Sequence, residues 1–150
     1  MSPPPIHAVP GCELCRDPGG LLAWQDAAWR VVRVADAAFP GFYRVVSRAH
    51  VAEFSDLDDA AREHCMRLVA TVERVLREAL SPTKVNLAAL GNLVPHLHWH
   101  VVARFDWDSH FPQPIWGTRQ REVHPAPLER LANGLQGLDE RVAEALSRLA

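Results

Sequence analysis

Residues 91–104, Gly-Asn-Leu-Val-Pro-His-Leu-His-Trp-His-Val-Val-Ala-Arg, decide the reading of this chain. From His96 onward the pattern alternates. His96, His98 and His100 take one parity, and Leu97, Trp99 and Val101 the other. Alternate side chains of a strand share a face, roughly 7 Å apart. The stretch from His96 to Phe105 is therefore expected to be a strand with three imidazoles on one side and apolar groups on the other. Burying such a stripe in a core would leave ring nitrogens without partners. Three readings follow: solvated histidines on an exposed face, a metal site made of His96, His98 and His100, or a catalytic site in which neutral imidazole attacks phosphorus.

The flanks supply the partners of this strand. Lys84 to Leu90 reads as another strand, with Gly91-Asn92 as the turn after it. Trp29-Arg30-Val31-Val32-Arg33-Val34 and Phe42-Tyr43-Arg44-Val45-Val46-Ser47 are β-branched and aromatic, and Phe39-Pro40-Gly41 breaks the chain between them. The short connection predicts an antiparallel pair. Between the strands lies a long helix. Leu57, Ala61, Cys65, Leu68, Val72, Val75 and Ala79 recur near helical spacing, Met66, Val69, Leu76 and Leu80 form a second stripe, and Pro82 ends the run. Ser55 and Asp58 resemble a capping box at its start. The apolar arc is wider than one buried face needs, which predicts cover from the sheet on one side and from a partner chain on the other. Asp17-Pro18-Gly19-Gly20 is a turn signal. Asp106 to His124 reads as irregular, and a last helix is expected from Leu128 to Leu149, interrupted near Gly134 and Gly137.

The whole chain has 150 residues, 48% of them apolar, which suits one α+β domain rather than two. A formal charge of -2 disfavours a basic clamp for nucleic-acid polymers but leaves room for a small nucleotide. No apolar run reaches membrane-spanning length, and Met1 to Pro5 lacks the blocks of a secretory signal, so a cytoplasmic protein is expected. Three cysteines do not make a disulfide framework in such a compartment. The single pair Cys12-Glu13-Leu14-Cys15 is open to metal binding, redox chemistry or neither. Cys65, on the long helix, is expected in the core.

The sequence His96-Leu97-His98-Trp99-His100-Val101-Val102 resembles the signature of the histidine triad (HIT) family, His-φ-His-φ-His-φ-φ with φ apolar. Gly91 to Pro95 just upstream and Ala103-Arg104 just downstream agree with it. The resemblance extends over residues 12–117, leaving 1–11 as a proline-rich arm and 118–150 as a C-terminal extension whose helix packs on the same domain. It implies a mostly antiparallel sheet of about five strands with the long helix on it, usually in a homodimer. It also implies a nucleotide substrate, with hydrolysis or nucleotidyl transfer at the α-phosphate, as in the bacterial HIT hydrolases and transferases; a nucleotide-binding module without turnover is the non-enzymatic alternative. His98 would be the nucleophile, His100 would orient or polarise the site, and His96 would support the geometry or hold metal. Asn86 and Asn92 fall where relatives place side chains near phosphate. Asp36 matches a position near the ribose, and Trp116 is a candidate neighbour of the base. Leu93 stands where the phosphoramidase branch has a hydroxyl residue. Some members bind zinc, and the resemblance assigns Cys12, Cys15, His50 and His96 as its ligands. His7, His64 and His124 gain no partner from this reading.

Overall fold

The computed structural model describes residues 8–149, so His7 and most of the proline-rich arm lie outside the described residues. Five antiparallel strands form one sheet in the order β1-β2-β3-β5-β4. They are β1 (Leu21–Gln25), β2 (Trp29–Arg33), β3 (Phe42–Ser47), β4 (Lys84–Ala88) and β5 (His98–Arg104). A short helix α1 (Glu13–Arg16) precedes them, α2 (Asp59–Leu80) joins β3 to β4, and α3 (Pro127–Arg130) and α4 (Leu138–Ser147) close the chain. The expected α+β class and five-strand sheet are what the structure shows.

The two parities of the strands divide the sheet between core and site. Trp29, Val31, Tyr43, Val45, Val101 and Ala103 point to one face and pack with Cys65, Leu68, Val72 and Leu76 of α2. Asn86, Arg44, His98 and His100 belong to the opposite parity, because Asn86 pairs with Val102 and Arg44 with His100. The helix thus buries the apolar face and leaves the polar one open.

Three expectations change in detail, and the break in the C-terminal helix holds. The long helix starts later than the Ser55 pattern implied: Asp58 is its N-cap, accepting from the Ala61 N–H at 2.8 Å, while Ser55 lies in a separate 3₁₀ turn, Phe54–Asp56. The second apolar stripe of α2 is covered within the same chain, since Leu138, Val142 and Leu146 of α4 share its core. Asp139 secures that helix by accepting from the Tyr43 hydroxyl at 2.5 Å and the Arg33 Nε at 2.9 Å. The C-terminal helix is broken at the two expected glycines, and both Gly134 (φ 57°) and Gly137 (φ 71°) are left-handed, a conformation that ends regular helix cheaply only at glycine. Lastly, β5 begins at His98 rather than His96, and β4 ends at Ala88 rather than Leu90.

Strand β1 and helix α1 were not expected. A bulge between Leu22 and Trp24 spoils the two-residue alternation of β1, and Leu21 and Leu22 are exposed, so neither periodicity nor burial marks it.

Candidate functional site

The histidines divide into two settings. His96 lies two residues before the ladder begins. Its Nε2–H donates to the Ser47 carbonyl at 2.6 Å, which leaves Nδ1 as the lone-pair nitrogen. That nitrogen faces Cys12 Sγ at 3.4 Å and Cys15 Sγ at 3.6 Å, and Cys15 Sγ is 3.4 Å from His50 Nδ1. All four ligand atoms lie within 4.8 Å of one another. Tetrahedral zinc, with Zn–S near 2.3 Å and Zn–N near 2.0 Å, sets adjacent sulfur and nitrogen ligands about 3.5 Å apart. The donor set, the spacing and the tautomer of His96 therefore fit one such ion. The three segments meet because α1 folds Cys12 and Cys15 under the end of β3, where the chain also carries His50.

His98 and His100 stay on β5 and stand edge to face, ring centroids 4.8 Å apart. The expected stripe of three equivalent imidazoles is thus two rings in the cleft and a third turned into the cysteine cluster. His98 Nδ1 is 2.6 Å from the carbonyl oxygen of His96. A carbonyl only accepts, so Nδ1 carries the proton and Nε2 keeps its lone pair when the ring is neutral. Burial pulls the His98 pKa below its ordinary value and the nearby Arg44 charge adds to this, against the hydrogen bond to the His96 carbonyl. His100 is pulled down to about 3, by burial first and then by His98 and Arg44. Both rings are accordingly neutral at physiological pH. His100 makes no hydrogen bond to His98; its Nδ1 is buried without a partner among the described residues, and the ring is held by edge contacts to Phe42 and Trp116.

Two clefts meet at His100 and Trp116. One, of about 290 Å³, is lined by His98, Asn92 and Arg44; the other, of about 440 Å³, by Asn86, Lys84 and Ile115. Trp116, 52% exposed, is the partition between them. The structure so brings together His98, His100, Asn86, Asn92 and Trp116. It leaves Asp36 apart: that carboxylate accepts from the Ala38 N–H at 2.9 Å within the turn after β2, and it lines neither cleft.

Three residues of this region went unassigned in the sequence. Arg104 is 1% exposed and paired with the equally buried Asp108 at 2.8 and 3.0 Å. It also donates to Asn86 Oδ1 at 2.8 Å and to the Gln113 carbonyl at 2.7 Å. Because Arg104 can only donate, it fixes the Asn86 amide with its oxygen inward and its NH₂ available to the cleft. The same pair ties down the loop that carries Trp116. Arg44 is the third such residue. A lone arginine within an apolar strand reads as a solvated side chain, so neither its parity with His100 nor the Arg104–Asp108 spacing was a sufficient signal.

Comparison with known proteins agrees with this architecture. The HIT domain family matches residues 22–107, more than half of the chain, and the protein belongs to that family. The matched span includes the triad and Asn86, Asn92 and His50 but ends before Trp116 and begins after Cys12 and Cys15. An AP-4-A phosphorylase of Mycobacterium tuberculosis is 33% identical over 86 residues, 53% of this chain and 44% of that one. The chain thus spans less than half the length of the curated relatives it matches. Among solved structures, a histidine triad protein from Bradyrhizobium japonicum is 32% identical with a TM-score of 0.66, covering 87% of this chain and 90% of that one. A zinc-bound histidine triad family protein from Mycobacterium smegmatis shares the fold at 17% identity, with a TM-score of 0.60 over 93% of this chain and 95% of its own.

Proposed function

We propose that this protein cleaves nucleotides at the α-phosphate through a nucleotidyl intermediate on His98. The observation that carries the proposal is the 2.6 Å bond from His98 Nδ1 to the His96 carbonyl, which orients the ring and frees Nε2 for attack. In the first step Nε2 forms a bond to the α-phosphorus, the bond from phosphorus to the leaving group breaks, and that group departs with its electron pair. In the second, an acceptor attacks the same phosphorus, the phosphorus–nitrogen bond breaks, and Nε2 regains its lone pair. His100 lies beside the reacting ring, and Asn86 and Asn92 present amides that can donate to phosphate oxygens as charge develops. Trp116 offers an aromatic wall for the substrate. Asp36 as a ribose contact finds no support in the clefts.

The acceptor is water in a hydrolase. Transfer to inorganic phosphate, a nucleotidyl transfer, is the second reading, and the name of the mycobacterial relative favours it. Incubation with diadenosine tetraphosphate and with adenosine phosphoramidate, each with and without phosphate, separates the two: AMP marks hydrolysis, and ADP formed only when phosphate is added marks phosphorolysis. Binding of nucleotide with no product from either substrate would leave a binding module instead.

Zinc in the Cys12, Cys15, His50 and His96 site is part of the same proposal. It would tie α1 and the start of the chain to the catalytic strand without joining the chemistry. The donor set described above supports it, and the zinc-bound fold relative agrees. Protein purified without chelator is expected to contain about one zinc per chain, and Cys12→Ser is expected to lose most of it. A metal-free preparation with full thiol reactivity at Cys12 and Cys15 would refute the assignment.

Homodimerisation also belongs here, on different grounds from those first expected. With α2 covered by α4, the open surfaces among the described residues include the two sheet edges, and the β4 edge beside the clefts, where Leu87 and the following Leu90 are exposed, is the one that supports a dimer here. Light scattering at micromolar concentration should give about twice the 16.7 kDa of one chain; a value near one chain argues against the dimer. Reduced thiols and a zinc site suit a cytoplasmic location, and among the described residues no helix is long and apolar enough to cross a membrane.

A further inference from the structure

Arg44 sits directly across from His100 in the β3–β5 ladder, so both side chains leave the sheet on the same face. It lines the 290 Å³ cleft together with His98, His100 and Asn92. One guanidinium nitrogen, Nη1, donates to the Gly19 carbonyl at 2.9 Å. Nε is buried without a partner, and no ion pair among the described residues includes Arg44. A guanidinium is always charged and burying one is costly; the Glu13 carboxylate offsets that cost only in part, from beyond ion-pair distance. Neither cleft is lined by a carboxylate; the only charged residues on their walls are Arg44 and Lys84, one on each side of the His100–Trp116 partition. The turn that holds Arg44 is built for it. Gly19 is left-handed (φ 91°), and a Cβ there would come within 2.7 Å of a Leu14 methyl, so glycine presents that carbonyl without backbone strain or a shift of the Leu14 side chain.

We propose that Arg44 binds the phosphate chain of the substrate, taking non-bridging oxygens next to the phosphorus that His98 attacks, and so selects nucleotides whose leaving group is itself a phosphate chain. This rests on the reading of His98 given above. An amine leaving group, as in a nucleoside phosphoramidate, offers Arg44 one phosphate only. A dinucleoside polyphosphate offers several, and the two cations would hold them on either side of the triad. The phosphate chain would supply the close anionic partner that Arg44 lacks in the free protein.

The test compares Arg44→Met and Arg44→Lys with the parent on diadenosine tetraphosphate and adenosine phosphoramidate. Losing a charge-assisted contact to the phosphate chain should lower kcat/KM for the tetraphosphate roughly 100-fold. The phosphoramidate should lose less than about fivefold, and lysine should restore part of the tetraphosphate loss. Equal losses on both substrates would overturn the proposal. A second arm measures binding of inorganic tripolyphosphate by calorimetry, without any turnover. Arg44→Met should bind it at least about tenfold more weakly than the parent, and equal binding overturns the proposal. If the parent turns over neither nucleotide, the His98 reading fails and the calorimetry alone decides Arg44. Arg44→Gln replaces the methionine variant should that one fail to fold.

Discussion

His98→Ala is expected to abolish covalent labelling by nucleotide and to reduce turnover by three decades or more, a loss of about 4 kcal/mol in transition-state stabilisation. The size follows from what is removed. Attack by a neutral imidazole splits one displacement at phosphorus into two, and without Nε2 no other described side chain is placed to form the intermediate. His100 cannot substitute in place, because its ring is wedged edge-on between Phe42 and Trp116. Binding should survive, since Arg44, Asn86 and Asn92 remain on the cleft walls. The measurement is a burst of nucleotidyl-protein by mass spectrometry beside steady-state rates on a folded variant. Parent-rate turnover by folded His98→Ala protein would refute the mechanism, and a loss of stability with activity per folded molecule intact would reduce His98 to a structural role. A complementary change is Ser47 or His96 region perturbation through His96→Ala, which removes the ring that anchors the His96 backbone to Ser47 and to the cysteine cluster. It should leave Nε2 present but less well aimed, and so cost less than His98→Ala.

What the sequence made legible and what it hid differ for physical reasons. The histidine strand could be read because a two-residue alternation of His with Leu, Trp and Val has few other folded solutions. The long helix could be read because its apolar spacing continues over 22 residues. Both gave the right layers, and with them the face on which the site lies. The partner of the helix's second stripe could not be read, because an apolar arc does not say whether α4 or another chain covers it. The bulge hid β1. His96 shows the limit of parity arguments: two residues before the ladder starts, the backbone no longer obliges the ring to follow its neighbours, and Ser47 and the cysteines take it instead. The cysteine cluster draws on residues 12, 15, 50 and 96, and no local pattern connects those positions; only the family resemblance did. Arg44, Arg104 and Asp108 act through contacts between segments, and a strand arginine carries no mark of that in its neighbours.

The Arg104–Asp108 pair should prove the most sensitive polar contact in the fold. Asp108→Ala is expected to cost about 3–5 kcal/mol, because it leaves the Arg104 charge buried and unpaired. The Asp108 carboxylate further accepts from the backbone N–H groups of Phe105, His110 and Phe111, so those donors would lose their partner as well. For that reason a double apolar replacement of Arg104 and Asp108 should recover only part of the loss, unlike isolated buried pairs that apolar residues replace at little cost. Asp108→Asn keeps the shape and one acceptor, and separates charge from packing. Burial alone would raise the Asp108 pKa, but the bonds from Arg104 and from the His110 and Phe105 amides outweigh it and hold the group below its ordinary value. The sign of the pH effect follows. A carboxyl whose folded pKa lies below its unfolded one stabilises fully above the unfolded value, about 3.9, and loses that contribution as pH falls through the folded value. Urea unfolding should therefore show a gap between parent and Asp108→Asn that is constant above about pH 5 and shrinks on acidification below about pH 4. A gap that does not change with pH would mean that Asp108 works by shape alone. The functional effect should appear mainly in KM, because Asn86 and the Trp116 loop hang on this pair while His98 is held from the His96 side.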